Sequence, residues 1–191
     1  MKKLSKIDES TWGNLLDKGA GEKEAKEDTF NFNFYQIKPV DLGPEFPFLW
    51  ADTDLIANDE IYFDWDTLQR MLPQIKKTGW RLPYSPNQMR DVIKLINTSP
   101  NLKTVWHRRA FGMIENTDTG EYVSFPTGSQ FGETYWCEDD YHSTNPGRQI
   151  ENERVFEIGE NYYQDGKKMV LLSTNNMEKT RTARIRLVKD K

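Results

Sequence analysis

Cysteine is almost absent from this chain, and the single one, Cys137, excludes an intramolecular disulfide and any zinc or iron–sulfur site built from several thiolates. Folding is therefore compatible with a reducing compartment. Histidine is nearly as scarce: His107 and His142 are the only two, which leaves little for general acid–base chemistry. Long apolar runs are missing too. The longest, such as "MVLL" at Met169–Leu172, fall far short of the roughly 20 residues that a membrane-spanning helix needs, so no membrane span is expected. Neither sign of charge dominates. The 26 basic and 30 acidic residues are mixed along 191 positions for a net charge of −4, and without a basic footprint nucleic acid is not an expected partner. The two lysines after Met1 resemble the start of an export signal, but no apolar run or small-residue cleavage site follows them.

What is present is enough apolar side chain, 36% of the chain, to build one ordinary core, and 13% aromatics with six tryptophans to fill it. The apolar residues are unevenly spread. Residues 1–28 are highly charged and contain "KGAGEKEAKED", a glycine-containing tract that favours solvation. They read as an arm and linker, and residues 29–191 as a single folded domain. Within the arm, Trp12, Leu15 and Leu16 stand three and four residues apart, so one helical turn brings all three to one face, with Ser10 or Thr11 as cap. Such a turn is too short to persist alone. It is expected to be ordered by a groove on a partner protein, Trp12 being a typical anchor; docking back on the arm's own domain is the alternative.

The domain opens on "FNFNFYQI", an alternation of aromatic and polar residues that predicts a half-buried strand. "FPFLWA", Phe46 to Ala51, predicts a buried one. "DWDTLQRMLPQIKK" predicts a helix with Asp64 or Asp66 as N-cap and an apolar stripe of Trp65, Leu68, Met71, Leu72 and Ile75, kinked or ended by Pro73. "SPNQMRDVIKLIN" predicts a second, with Ser85 as cap, Pro86 in the first position, Gln88 completing a capping box, and a stripe of Met89, Val92, Ile93 and Ile96 opposite Arg90, Asp91 and Lys94. After Pro100 the pattern is β. "AFGMIEN" and "EYVSFP" flank the turn-forming "TDTG", "ETYWCE" is a short strand, and Asp165-Gly166 joins two β-prone runs as a hairpin. "TARIRLV" sets Ala183, Ile185 and Leu187 on one face and Arg184 and Arg186 on the other. Two early helices and many late strands make an α+β domain.

Several short motifs follow one another along the chain: "VDLG" at Val40–Gly43, "LWA" at Leu49–Ala51, "GWRLP" at Gly79–Pro83, "SFPTGS" at Ser124–Ser129, "TYW" at Thr134–Trp136 and the closing "RIRLV". In this series the chain, from Pro39 to Val188, resembles the Fibrobacter major paralogous domain family, which belongs to the C-type-lectin-like fold. The resemblance implies a C-type-lectin-like domain with two early helices and a late antiparallel sheet. It departs from that fold's better-known activities. Cys137 lacks the second cysteine that the formylglycine-generating relatives use, and neither a Glu-Pro-Asn or Gln-Pro-Asp nor a Trp-Asn-Asp triplet of the calcium-dependent sugar binders is present.

Read from the residues, "GWRLP" is a structural corner: period-two geometry sends Trp80 and Leu82 to the face opposite Arg81, and Pro83 ends the piece. Arg81 as a ligand-binding cation is the alternative. Glu138, Asp139 and Asp140 in a row offer oxygens to a hard cation, with a solvated acidic loop as the competing reading; no metal and no cofactor is assigned. "EDDYHSTNPGRQIENE" is long, polar and mixed, and Tyr141, His142 and Arg148 are its expected ligand-binding residues. No catalytic constellation emerges. The arm's "KIDES" before Trp12 is similar to leaders of small proteins encoded by phages of gut bacteria, in which one leader precedes unrelated domains. The combined expectation is a non-enzymatic virion protein whose arm docks into a larger assembly and whose domain is displayed toward a host glycan or surface receptor. The alternative is an adhesin or glycan-binding protein of the bacterial cell surface.

Overall fold

The computed structural model describes residues 29–107, 110–126, 133–139, 152–163 and 167–191. Among these, two helices and eleven strands make a mixed α+β architecture dominated by sheet. The strands are β1 (Pro39–Val40), β2 (Phe48–Ala51), β3 (Tyr84–Ser85), β4 (Leu102–His107), β5 (Phe111–Asn116), β6 (Tyr122–Pro126), β7 (Glu133–Trp136), β8 (Glu138–Asp139), β9 (Asn152–Tyr163), β10 (Lys167–Glu178) and β11 (Val188–Asp190). They form sheets β1-β2-β11, β10-β9-β7 and β4-β5-β6, with β3 and β8 as a parallel pair.

Helix α1 (Trp65–Lys77) begins where Asp64 accepts a 2.7 Å hydrogen bond from the Thr67 N–H. That N–H, unpaired by the helix itself, holds the Asp64 carboxyl below its ordinary pKa. The predicted stripe is buried in full, but Pro73 does not end the helix, which runs through it to Lys77. Gln69 and Pro73 are both exposed, so the carbonyl that loses its partner lies on the watered face, where the cost of an unmade bond is least. Gly79, at φ +78°, follows the C-cap Thr78 and turns the chain out of the helix as only glycine does cheaply.

Helix α2 (Asn87–Thr98) buries Met89, Val92 and Ile96 and exposes Arg90, Asp91 and Lys94 as predicted, while Ile93, expected in the same stripe, is only half-buried. Its start differs. Pro86 takes the cap position without a side-chain cap bond, while Ser85 lies in β3 beside Asp139, fully buried with its hydroxyl unpaired. Gln88 does reach back, but it accepts from the Tyr84 N–H at 3.0 Å instead of from a capping serine.

Alternate residues of the same short strands enter two cores. Ala51, Trp136, Val155, Ile185 and Leu187 join the α1 stripe in one; Trp50, Tyr135, Cys137, Phe156 and Val188 join α2 and the β4-β5-β6 sheet in the other. Both faces of this middle layer are therefore covered, which is why β2 reads as an apolar run instead of an alternating one. The tail stitches it together: Trp136 N–H donates to the Arg184 carbonyl at 3.0 Å on one side, and Ala51 and Leu55 donate to Leu187 and Ile185 at 2.9 Å on the other. The strand pairs of both predicted hairpins are present, β5 with β6 and the long β9 with β10, while the Asp165-Gly166 turn of the second lies outside the described residues. Gly112 lets the second core close, since a Cβ there would stand 3.1 Å from both Ile158 and Trp106.

The predicted opening strand is not formed. Phe32 makes one bridge to Ala57, and Phe34–Gln36 is a 3-10 turn. Period-two spacing has another use here: Phe30, Phe32 and Phe34 line up with ring centroids 5.8 and 4.6 Å apart and pack on the first core.

Candidate functional site

The most concentrated chemistry among the described residues is a buried set of charges beneath the middle of β6 and the start of β7. Arg186 is fully buried, a position that a guanidinium tolerates only when its charge and its donors are all engaged. Its Nε donates to Asp54 Oδ1 at 2.8 Å, one Nη to the Ala51 carbonyl at 2.9 Å and the other to the Ser124 carbonyl at 2.8 Å. The guanidinium carbon also stands 4.7 Å from the Phe125 ring centre and 6.0 Å from that of Tyr135. Ser124 lies on β6, the edge of its sheet, so Arg186 does for that edge what a further strand would do.

Arg184, two residues earlier on the same face, donates to Asp54 Oδ2 at 2.7 Å and to the Tyr62 hydroxyl at 3.2 Å. Burial works against its charge, but the hydrogen bonds to Asp54 and Tyr62 together with the attraction of the Asp54 carboxylate more than offset that, leaving its pKa above the ordinary arginine value. Its Nε lies 3.2 Å from Glu133 Oε2 without hydrogen-bonding alignment. Tyr62 completes the link by donating to that carboxylate at 2.8 Å. Burial pushes both the Tyr62 and the Tyr135 phenol up, so each stays protonated across the physiological range.

Two guanidinium groups thus face two carboxylates. A set neutralised in this way fixes chain segments; it keeps no spare acid or base for a reaction. The segments it fixes are the Ala51–Leu55 stretch, the tail, the middle of β6 and the start of β7. The Tyr135 hydroxyl adds a 3.4 Å contact to the Pro126 carbonyl. The sequence predicted the alternation of Arg184 and Arg186 against Ile185 and Leu187 but not that the arginine face is buried as well.

The other singled-out residues divide by position. Trp80 and Leu82 are buried, and Arg81 on the opposite face is itself largely covered, pairing with Asp190 at 2.5 Å, donating to the Leu82 carbonyl at 2.9 Å and stacking 4.3 Å from Tyr84, as a structural corner requires. His107 ends β4 exposed and stacks on Phe111 at 4.5 Å. Cys137 is buried. In the acidic row, Glu138 pairs with Lys76 at 2.6 Å and Asp139 with Arg154 at 3.6 Å, so both carboxylates already face a cation of the protein. Asp140, the proposed ligand-binding Tyr141, His142 and Arg148, and the arm residues Trp12, Leu15 and Leu16 lie outside the described residues.

No family model, curated protein or solved structure matches this chain. Its function is therefore argued from its own geometry.

Proposed function

We propose that this chain is a non-enzymatic virion component, in which a C-type-lectin-like domain is displayed for recognition of a host glycan or surface receptor and residues 1–28 attach it to a partner protein. The observation that carries the reading is how the ends of residues 140–151 are held. Asp139 pairs with β3 and Arg154 with β10, and the two are themselves in ion-pair contact at 3.6 Å. A long polar stretch between fixed, adjoining ends is how rigid scaffolds commonly present recognition residues. The mutual neutralisation of Asp54, Glu133, Arg184 and Arg186 supports a scaffold role over a catalytic one.

The test uses the full chain on immobilised bacterial surface glycans and on intact cells. Tyr141→Ala, His142→Ala and Arg148→Ala together should abolish retention while leaving the melting temperature unchanged. In parallel, Trp12→Ala with Leu16→Ala should prevent co-purification with assembled particles and leave glycan retention intact. Undiminished retention by the triple variant would overturn the assignment of the ligand site; undiminished co-purification would overturn that of the arm.

A further inference from the structure

A shallow groove of about 270 Å³ runs between α2 and the turn at Glu45. On the helix side Asp91, then Lys94 and Leu95, then Thr98 stand one turn apart, with Val92 at the floor; Glu45 and Pro47 form the opposite wall. Its volume is just below the roughly 300–1,000 Å³ of sites that enclose a small molecule, so it suits one long side chain better than a sugar or cofactor. The charges specify which. Glu45, Asp91 and Lys94 are exposed, and none of the three side chains pairs with a described residue. Two carboxylates against one ammonium leave the groove one charge negative, over an apolar floor.

The walls are already set. Phe46 is buried between Glu45 and Pro47, and its N–H donates to the Gly43 carbonyl at 3.2 Å. Lys191 Nζ holds the same carbonyl and the Asp41 carboxylate, lowering the Asp41 pKa. Val92 is fixed in the second core. Little backbone ordering is therefore required on binding, which leaves the rim side chains as the groups to be ordered. An apolar stem ending in a positive charge fits both the floor and the rim, and lysine and arginine are the side chains so built. We propose that this groove receives a lysine or arginine side chain presented by a partner polypeptide. The inference uses none of the residues of the glycan-binding or arm-docking reading and stands or falls apart from it.

The experiment is a titration of the isotope-labelled full chain with N-acetyl-arginine methylamide and N-acetyl-lysine methylamide, followed through backbone amide shifts. N-acetyl-norleucine methylamide is the neutral control. The cationic compounds should produce saturable millimolar shifts at Asp91, Val92, Leu95 and Thr98, and the neutral one should not. Glu45→Gln with Asp91→Asn should weaken binding about tenfold or more, while Lys94→Gln should strengthen it by relieving like-charge repulsion. Equal shifts from the norleucine compound, no saturable shift at tens of millimolar, or weaker binding by the Lys94→Gln protein would each overturn the proposal.

Discussion

Arg186 carries a full charge into the middle of the protein, and its neighbours show what that demands. Asp54 is the shared counter-ion of both tail arginines, with its carboxylate oxygens 2.6 and 2.7 Å from them. Removing one partner of a buried set leaves an uncompensated charge, so Asp54→Asn is expected to destabilise the fold by about 3–5 kcal/mol. The exposed counterpart is Asp190, whose pair with Arg81 leaves its side chain 71% accessible. Asp190→Asn should cost less than Asp54→Asn, about 1 kcal/mol, because water screens the Asp190 carboxylate and the largely covered Arg81 keeps its bonds to the Leu82 carbonyl and Gln88. Denaturant melts of the two variants side by side decide this, and equal losses would mean that Asp54 is not the anchor argued above. None of this was legible in advance. Alternation in "TARIRLV" shows which residues share a face, but whether that face meets water depends on Asp54, 130 residues away from Arg184 along the chain.

At the scale of elements, the helices and hairpins were the most legible parts, because their signals are local: the stripes of α1 and α2, the Asp64 cap, and turn residues between β-prone runs. The misreadings came where one pattern has two physical outcomes. Phenylalanine at period two describes a strand and also a row of stacked rings, and only the second is realised at Phe30–Phe34. Strand β4 was not singled out because Leu102, Thr104 and Trp106, its inward residues, include a threonine that weakens the apolar rhythm. Pro73 predicts a kink or an end because the cost of an internal proline is real, although α1 runs on past it. That cost should be recoverable: Pro73→Ala restores a donor to the Gln69 carbonyl and is expected to raise stability by about 1–3 kcal/mol, less what proline contributed by stiffening the unfolded chain. A lower melting temperature in the alanine variant would show that the ring makes contacts the exposed site does not suggest.

Across the whole molecule, the middle layer sends neighbouring residues into opposite cores, so neither core can open without withdrawing side chains from the other. One unfolding transition is therefore expected, with the near-ultraviolet signal of the tryptophans, which populate both cores, coinciding with the far-ultraviolet signal of the backbone. Two separated transitions would mean that the cores are independent. The same layer holds Cys137, fully buried between β7 and β8, with its N–H on the Arg154 carbonyl at 2.9 Å. A thiol reagent in solution can reach that sulfur only while the layer is open. With no second cysteine anywhere in the chain to confuse the reading, the rate of chemical labelling becomes a clock for spontaneous opening, read one event at a time under native conditions and without any denaturant.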